Sequence, residues 1–242
     1  MTRDRGRAPA RLDNLSLRDQ LGVDRLPLRL LQMMAGLTGF GVSLAMLLES
    51  GLGGAPWDVL HAALADRLGL TVGSLSIAVS FAVLMLWFPL RERIGIGTVA
   101  NSIWVGVSID LGMLVLPAAD GLPAAVAMML AGVGLNGVSG AVYIGAQLSA
   151  GPRDGLMTGL ARVLSRPVGP VRIVLEVIVL LSGWALGGPL GVGTVVYAIG
   201  LGPIIQLTLP HVTMPVRALR GRAVDVPGQT PPTGQAPEPD PA

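Results

Sequence analysis

The chain has 242 residues, of which 51% are hydrophobic and 13% charged, with a mean hydropathy of +0.65 and a net charge of +2. Long uncharged runs of about 18 or more residues match a hydrocarbon thickness of ~30 Å, which excludes a soluble globular domain and points to a polytopic helical membrane protein. With no Cys and two His, disulfides, thiol nucleophiles, thiolate metal sites and multi-histidine centres are excluded, and no cofactor is expected.

Residues 1–27 form a polar tail of mixed charge broken by Pro9. Within it, Leu15 to Leu26 reads as a short amphipathic surface helix or as solvated chain. The first apolar run is too long for a cleavable signal and continues into the protein body, so an uncleaved first span is expected. That span runs from Leu28 to Ser50. Gly51 to Gly54 breaks it, and Pro56 suits the first turn of a new helix.

Pro56 to Leu70 is amphipathic, too short and too charged to cross alone, with His61 expected on its solvated face. Span 2 is Val72 to Leu90, and span 3 is Ile94 to Leu116 after the Arg91-Glu92-Arg93 turn. Residues 118–210 repeat the plan after residues 28–117. Span 4 is Leu122 to Leu148, a short segment Pro152 to Ser165 follows, span 5 is Val168 to Leu186, and span 6 is Gly193 to Leu209. Residues 211–242 read as a basic exit leading into a disordered tail rich in Pro and Gly.

The duplication is carried by Ala55-Pro56-Trp57-Asp58-Val59-Leu60 and Gly151-Pro152-Arg153-Asp154-Gly155-Leu156, which stand 96 residues apart. The same offset pairs Gly41/Gly137, Ser43/Ser139, Gly73/Gly169, Gly97/Gly193, Thr98/Thr194 and Gly106/Gly202 without a gap. Roughly a third of the paired positions are identical, which marks one copied unit.

All 17 basic residues are Arg, and with six spans and a cytosolic N-terminus 16 of them lie on the cytosolic side, leaving Arg67 outside. Three crossings per unit then force the two units into opposite orientations, related by a pseudo-two-fold axis in the membrane plane. The fold expected is an all-α membrane protein of six transmembrane helices, built as two inverted-topology repeats. Each repeat carries a short amphipathic or re-entrant helix.

The two Pro-x-Asp motifs, with Gly95-Ile96-Gly97-Thr98 and Gly191-Val192-Gly193-Thr194, resemble the YczE family of bacterial integral membrane proteins, a family grouped with the YyaS and YitT proteins. The resemblance covers Leu28 to Pro210. It implies a multi-spanning protein of the bacterial cytoplasmic membrane and supplies no activity, substrate or catalytic residue.

Five residues stand out as candidates for binding a solute or ion. Glu176 and Arg172 are one turn apart in span 5, where ionisable groups face protein or water rather than lipid; a structural ion pair is the plain alternative. Asp58 and Asp154 each follow a Pro by two residues, so they either cap helix N-termini or line a pathway as a symmetric pair. Asp110 lies near the outer end of span 3 and could instead reach the headgroups.

The function expected is transport of a small molecule or ion at the interface of the repeats. A non-transporting membrane scaffold or regulatory protein is the alternative. No nucleophile–base pair, metal-protease motif or phosphate loop argues for an enzyme. No basic cluster interleaved with aromatics argues for nucleic acid. The lipid bilayer is the expected partner, and six short spans with Gly-rich faces allow a homodimer.

Overall fold

The computed structural model describes residues 20–214 and the backbone of 218–219 and 222–223. Eight helices make up the membrane body: α1 (Leu26–Glu49), α2 (Pro56–Leu68), α3 (Val72–Leu90), α4 (Ile96–Val115), α5 (Gly121–Gly145), α6 (Pro152–Val163), α7 (Val168–Ala185) and α8 (Val192–Val212). Six of them, all but α2 and α6, are long and apolar enough to cross a membrane. The polar tail up to residue 19 and the tail from residue 224 lie outside the described residues.

Several boundaries differ from the sequence reading. Span 4 was expected to reach Leu148, but α5 stops at Gly145. Gln147 and Ser149 adopt positive φ, and the unwound stretch offers its carbonyls to a neighbour: Gly97 N–H donates to Leu148 O at 3.1 Å, and Thr98 Oγ1 to Ala150 O at 2.8 Å. The last helix runs on to Val212 through Pro203 and Pro210. Beyond it, Ala218–Leu219 and Arg222–Ala223 pair antiparallel in the basic exit, ahead of the tail read as disordered. Gln20, placed by sequence in a polar tail, is fully buried, and its Oε1 accepts the Ile96 N–H at 2.8 Å, satisfying one of the free amides at the start of α4.

The core is a bundle of α1, α4, α5 and α8. α1 packs along α5 and α4, and α5 along α8, with Leu37, Leu44, Leu47, Ile109, Met129 and Val133 buried between them. Small residues let these backbones meet. A Cβ on Gly36 would lie 2.5 Å from Tyr143 N, and one on Gly41 2.7 Å from Val105 O.

The outer helices cross between the halves. α2 lies against α7, and α6 against α3. Equivalent linkers exchange equivalent bonds: Gly97 N–H meets Leu148 O, and Gly193 N–H meets Leu52 O at 2.7 Å.

Hydrogen bonds gather the helix ends into two groups. At one end Arg29, 1% exposed, donates to Ala146 O at the end of α5 and to Met214 O after α8, and pairs with Asp24 at 3.2 Å. A buried guanidinium suits two helix C-termini, whose free carbonyls carry partial negative charge. At the other end Ala119 N–H donates to Glu49 O, and Arg67 Nε to Leu186 O at 3.0 Å.

Candidate functional site

The short helices α2 and α6 both begin deep in the molecule and end at its surface. Pro56, Trp57, Asp58 and Val59 are buried while Asp66 to Leu70 are exposed; Pro152, Gly155, Leu156 and Met157 are buried while Arg162 to Val168 are exposed. Pro at the first helical position, with Ala55 and Gly151 extended before it, starts each helix at that depth. Helix N-termini of this kind, set into a protein interior, bring free N–H groups and positive dipole ends to the centre.

A cavity of about 120 Å³ lies between these two ends. Its wall takes matching positions from both halves: Ala55 and Gly151, Trp57 and Arg153, Ser76 and Arg172, Ser80 and Glu176, Asn101 and Tyr197, Val105 and Leu201. A second space of about 420 Å³ shares Tyr143, Ile144 and Asp154 with the first and is otherwise lined by Trp87, Glu92, Arg93, Gln147, Ser149 and Arg162. It forms a vestibule leading from the end of the molecule that carries the Arg91–Arg93 turn to Asp154.

The equivalent place at the opposite end is filled by backbone. A Cβ on Gly183 would lie 2.6 Å from Leu60 N, and one on Gly188 2.2 Å from Val59 O.

Four of the five sequence candidates meet at or beside this cavity. Arg172 Nε donates to Glu176 Oε1 at 2.9 Å, the expected one-turn pair, and both side chains remain partly exposed toward the space. Asp154 lines cavity and vestibule together. Its carboxylate reaches back to the Gly151 N–H, as a third-position acid does; burial holds its pKa above the ordinary value, against the pull of Arg172 and Arg153.

Asp58 sits behind the wall, 1% exposed, with Oδ1 3.3 Å from His61 Nδ1 and 4.0 Å from Arg153 Nη2. Asp110 is elsewhere. It accepts Thr71 Oγ1 at 2.6 Å and Gly73 N–H at 2.8 Å, so it ties the start of α3 to α4.

The sequence reading missed most of the uncharged lining, both tyrosines included, and the burial of His61. His61, expected on a solvated face, is fully buried in a helix that packs against both α7 and α3. Burial lowers its pKa; the Asp58 hydrogen bond opposes that, and Arg153 adds to it. The Arg153 guanidinium lies 5.2 Å from the Trp57 ring, a cation–π distance. Tyr197 Oη donates to Asn136 Oδ1 at 3.2 Å, and Asn136 Nδ2 to Ser43 Oγ at 2.7 Å, a buried network that fixes α8 and α1 against α5. One signal was available: the chain has only two Tyr, and both fall in apolar spans that line the cavity.

The comparisons with known proteins bear on what this bundle is. Residues 27–210 match the model of a family of unknown function, DUF6198. The chain belongs to that family. YczE of Bacillus subtilis, named as an uncharacterised membrane protein, is 37% identical over 174 residues, covering 71% of this chain and 80% of its own length. An uncharacterised protein of Haemophilus influenzae is 34% identical over 186 residues, covering 74% and 85%. YyaS of Bacillus subtilis is 27% identical over 186 residues, covering 75% and 90%.

No solved structure matches the chain significantly. The family agrees with the resemblance carried by the Pro-x-Asp and Gly-x-Gly-Thr motifs, and its match spans both copies of the repeat. It is therefore a family of membrane proteins with several apolar helices, and it brings no named activity to the site.

Proposed function

We propose that the protein is a transporter of a small molecule or ion in the bacterial cytoplasmic membrane, with both termini cytosolic and its site in the central cavity. In this reading the two halves are inverted repeats, and α2 and α6 are re-entrant half-helices that approach the centre from opposite faces. The exchanged bonds of Gly97 with Leu148 and of Gly193 with Leu52 support that relation. So does the exchange of α2 onto α7 and α6 onto α3.

The observation that carries the transport reading is a broken symmetry. Gly73 and Gly106 weld α3 to α4: a Cβ on Gly73 would lie 2.0 Å from Gly106 O, and one on Gly106 2.4 Å from Gly73 O. Their repeat counterparts Gly169 and Gly202 have nothing within 4 Å. A copied unit keeps one seam shut and the matching seam apart. Alternating access consists of exchanging those two conditions. The vestibule lies on the arginine-rich end, so the conformation described is open to the cytosol.

A homodimer remains part of the proposal. Among the six spans α7 has the most open surface, with Ile173, Val174, Val177, Ile178 and Leu181 exposed, and a second copy or lipid would cover it.

Proteoliposomes holding the full chain test the function when challenged with steps of small organic anions, cations and zwitterions while transient currents and internal pH are recorded. A protein-dependent current or pH change that Glu176→Gln abolishes in a chain that still folds is expected. No protein-dependent current or pH change for any of the three classes, or one that Glu176→Gln leaves unchanged, would overturn the reading.

A further inference from the structure

The unmatched polar atoms gather on the side of the cavity away from the vestibule. Among the described residues, the buried side-chain atoms with no hydrogen-bond partner are Trp57 Nε1, Asp58 Oδ2, His61 Nε2 and Thr194 Oγ1, with Ser108 Oγ elsewhere. Three of these belong to the first two turns of α2. Thr194 adjoins them, its hydroxyl 2.8 Å from where a Cβ on Gly53 would stand, in the linker that leads into α2. Buried polar groups are normally satisfied, so such a cluster needs a cause.

His61 Nδ1 faces the Asp58 carboxylate at 3.3 Å. With the hydrogen on Nδ1, donated to that carboxyl group, Nε2 carries a lone pair with no donor to meet it. That nitrogen is where a proton would be received.

The charged and titratable groups around the pair are few. Arg153, from α6, stands 4.0 Å from Asp58. α7 contributes Arg172 and Glu176, already paired with each other. α8 contributes Tyr197, and α3 contributes no charged residue. Arg153 is thus the one cation that Asp58 shares with the cavity, since its guanidinium also lines that space over Trp57.

We propose that Asp58 and His61 form the proton-binding site of the carrier, and that a proton held there releases Arg153 to bind an anionic group of the solute. This rests on the transport reading for the use made of the proton. The step is a proton transfer alone: His61 Nε2 takes a proton from hydronium, leaving water, and the ring becomes an imidazolium whose Nδ1 side faces the Asp58 carboxyl group. Arg153 is then free to neutralise an anion in the cavity. The coupling is reciprocal, so an anion on Arg153 must strengthen proton binding at His61. Proton and anion would cross together.

The chain's two histidines make a direct test practical. The full chain carrying His211→Gln, labelled with nitrogen-15 histidine and held in lipid nanodiscs, gives a single imidazole to titrate by NMR. Its midpoint should lie below that of an ordinary histidine, since burial opposes the charge. Arg153→Gln should raise it by removing a neighbouring cation, Asp58→Asn should lower it, and Arg153→Lys, which keeps the charge and controls for folding, should leave it near the parent value.

Added acetate should raise the midpoint of the parent and not that of Arg153→Gln. An imidazole that stays neutral at every pH where the chain is folded would overturn the proposal. So would a midpoint indifferent to Arg153→Gln, or an acetate shift that survives it. The titration needs no flux, so a titrating His61 without transport removes only the transport reading, and transport with a silent His61 removes only this one.

Discussion

The paired seams make the account testable by placing one substitution at two equivalent positions, Gly106→Ala and Gly202→Ala. At position 106 the new methyl would stand 2.4 Å from Gly73 O and 2.6 Å from Ile77 Cγ1. α3 and α4 would have to part by about 0.5–1 Å, a gap that forfeits a quarter to a half of the dispersion attraction across it. Overpacking of this kind costs about 1–3 kcal/mol. At position 202 the methyl enters open space.

Both changes gain the ~1 kcal/mol by which Ala is the better helix former, so that contribution cancels between them. Gly106→Ala should therefore be the less stable of the two by about 1–3 kcal/mol, or roughly 5- to 150-fold in the folding equilibrium. Unfolding of the purified variants by SDS in mixed micelles measures the difference. The same Gly202→Ala should slow transport while leaving the fold intact, because its methyl would obstruct the matching seam when that seam closes. Equal stability of the two variants would refute the reasoning.

Two further outcomes follow from the buried charges. Arg29→Met removes the guanidinium that meets Ala146 O, Met214 O and Asp24, and should cost about 3–5 kcal/mol by the same unfolding assay, since one member of a buried charged network is removed. Arg29→Lys should fall between, because it keeps the charge but not the fork of donors. Folding holds the proton on Asp154 more tightly than the unfolded chain does, so the wild type should lose stability as pH rises from the ordinary value of 3.8 through the raised one. Asp154→Asn should match it at the acid end and exceed it above, and parallel curves across that window would contradict the burial argument.

How much of this was legible in the sequence depended on what each residue must touch. The six spans were readable because hydrocarbon imposes length and composition locally. Glu176, Arg172 and Asp154 were readable because an ionisable group in or beside an apolar run has few places to go. Asp110 looked the same in one dimension, yet near a helix end an acid can as easily cap its neighbour, and it holds Thr71 and Gly73.

His61 was unreadable for the opposite reason. α2 is amphipathic by pattern, and the burial of His61 depends on packing against other helices, which a local pattern does not show. The shortfall of α5 at Gly145 likewise answers to the needs of Gly97 and Thr98, 48 and 47 residues away in the chain.

The proposed inversion of the two halves can be tested directly, because the chain has no cysteine of its own. Leu68 and Leu164 are repeat counterparts at the outer ends of α2 and α6, and both are exposed. In oriented vesicles a membrane-impermeant thiol reagent should label Leu68→Cys only from outside and Leu164→Cys only from the cytosolic side. Labelling of both from one side would contradict the account.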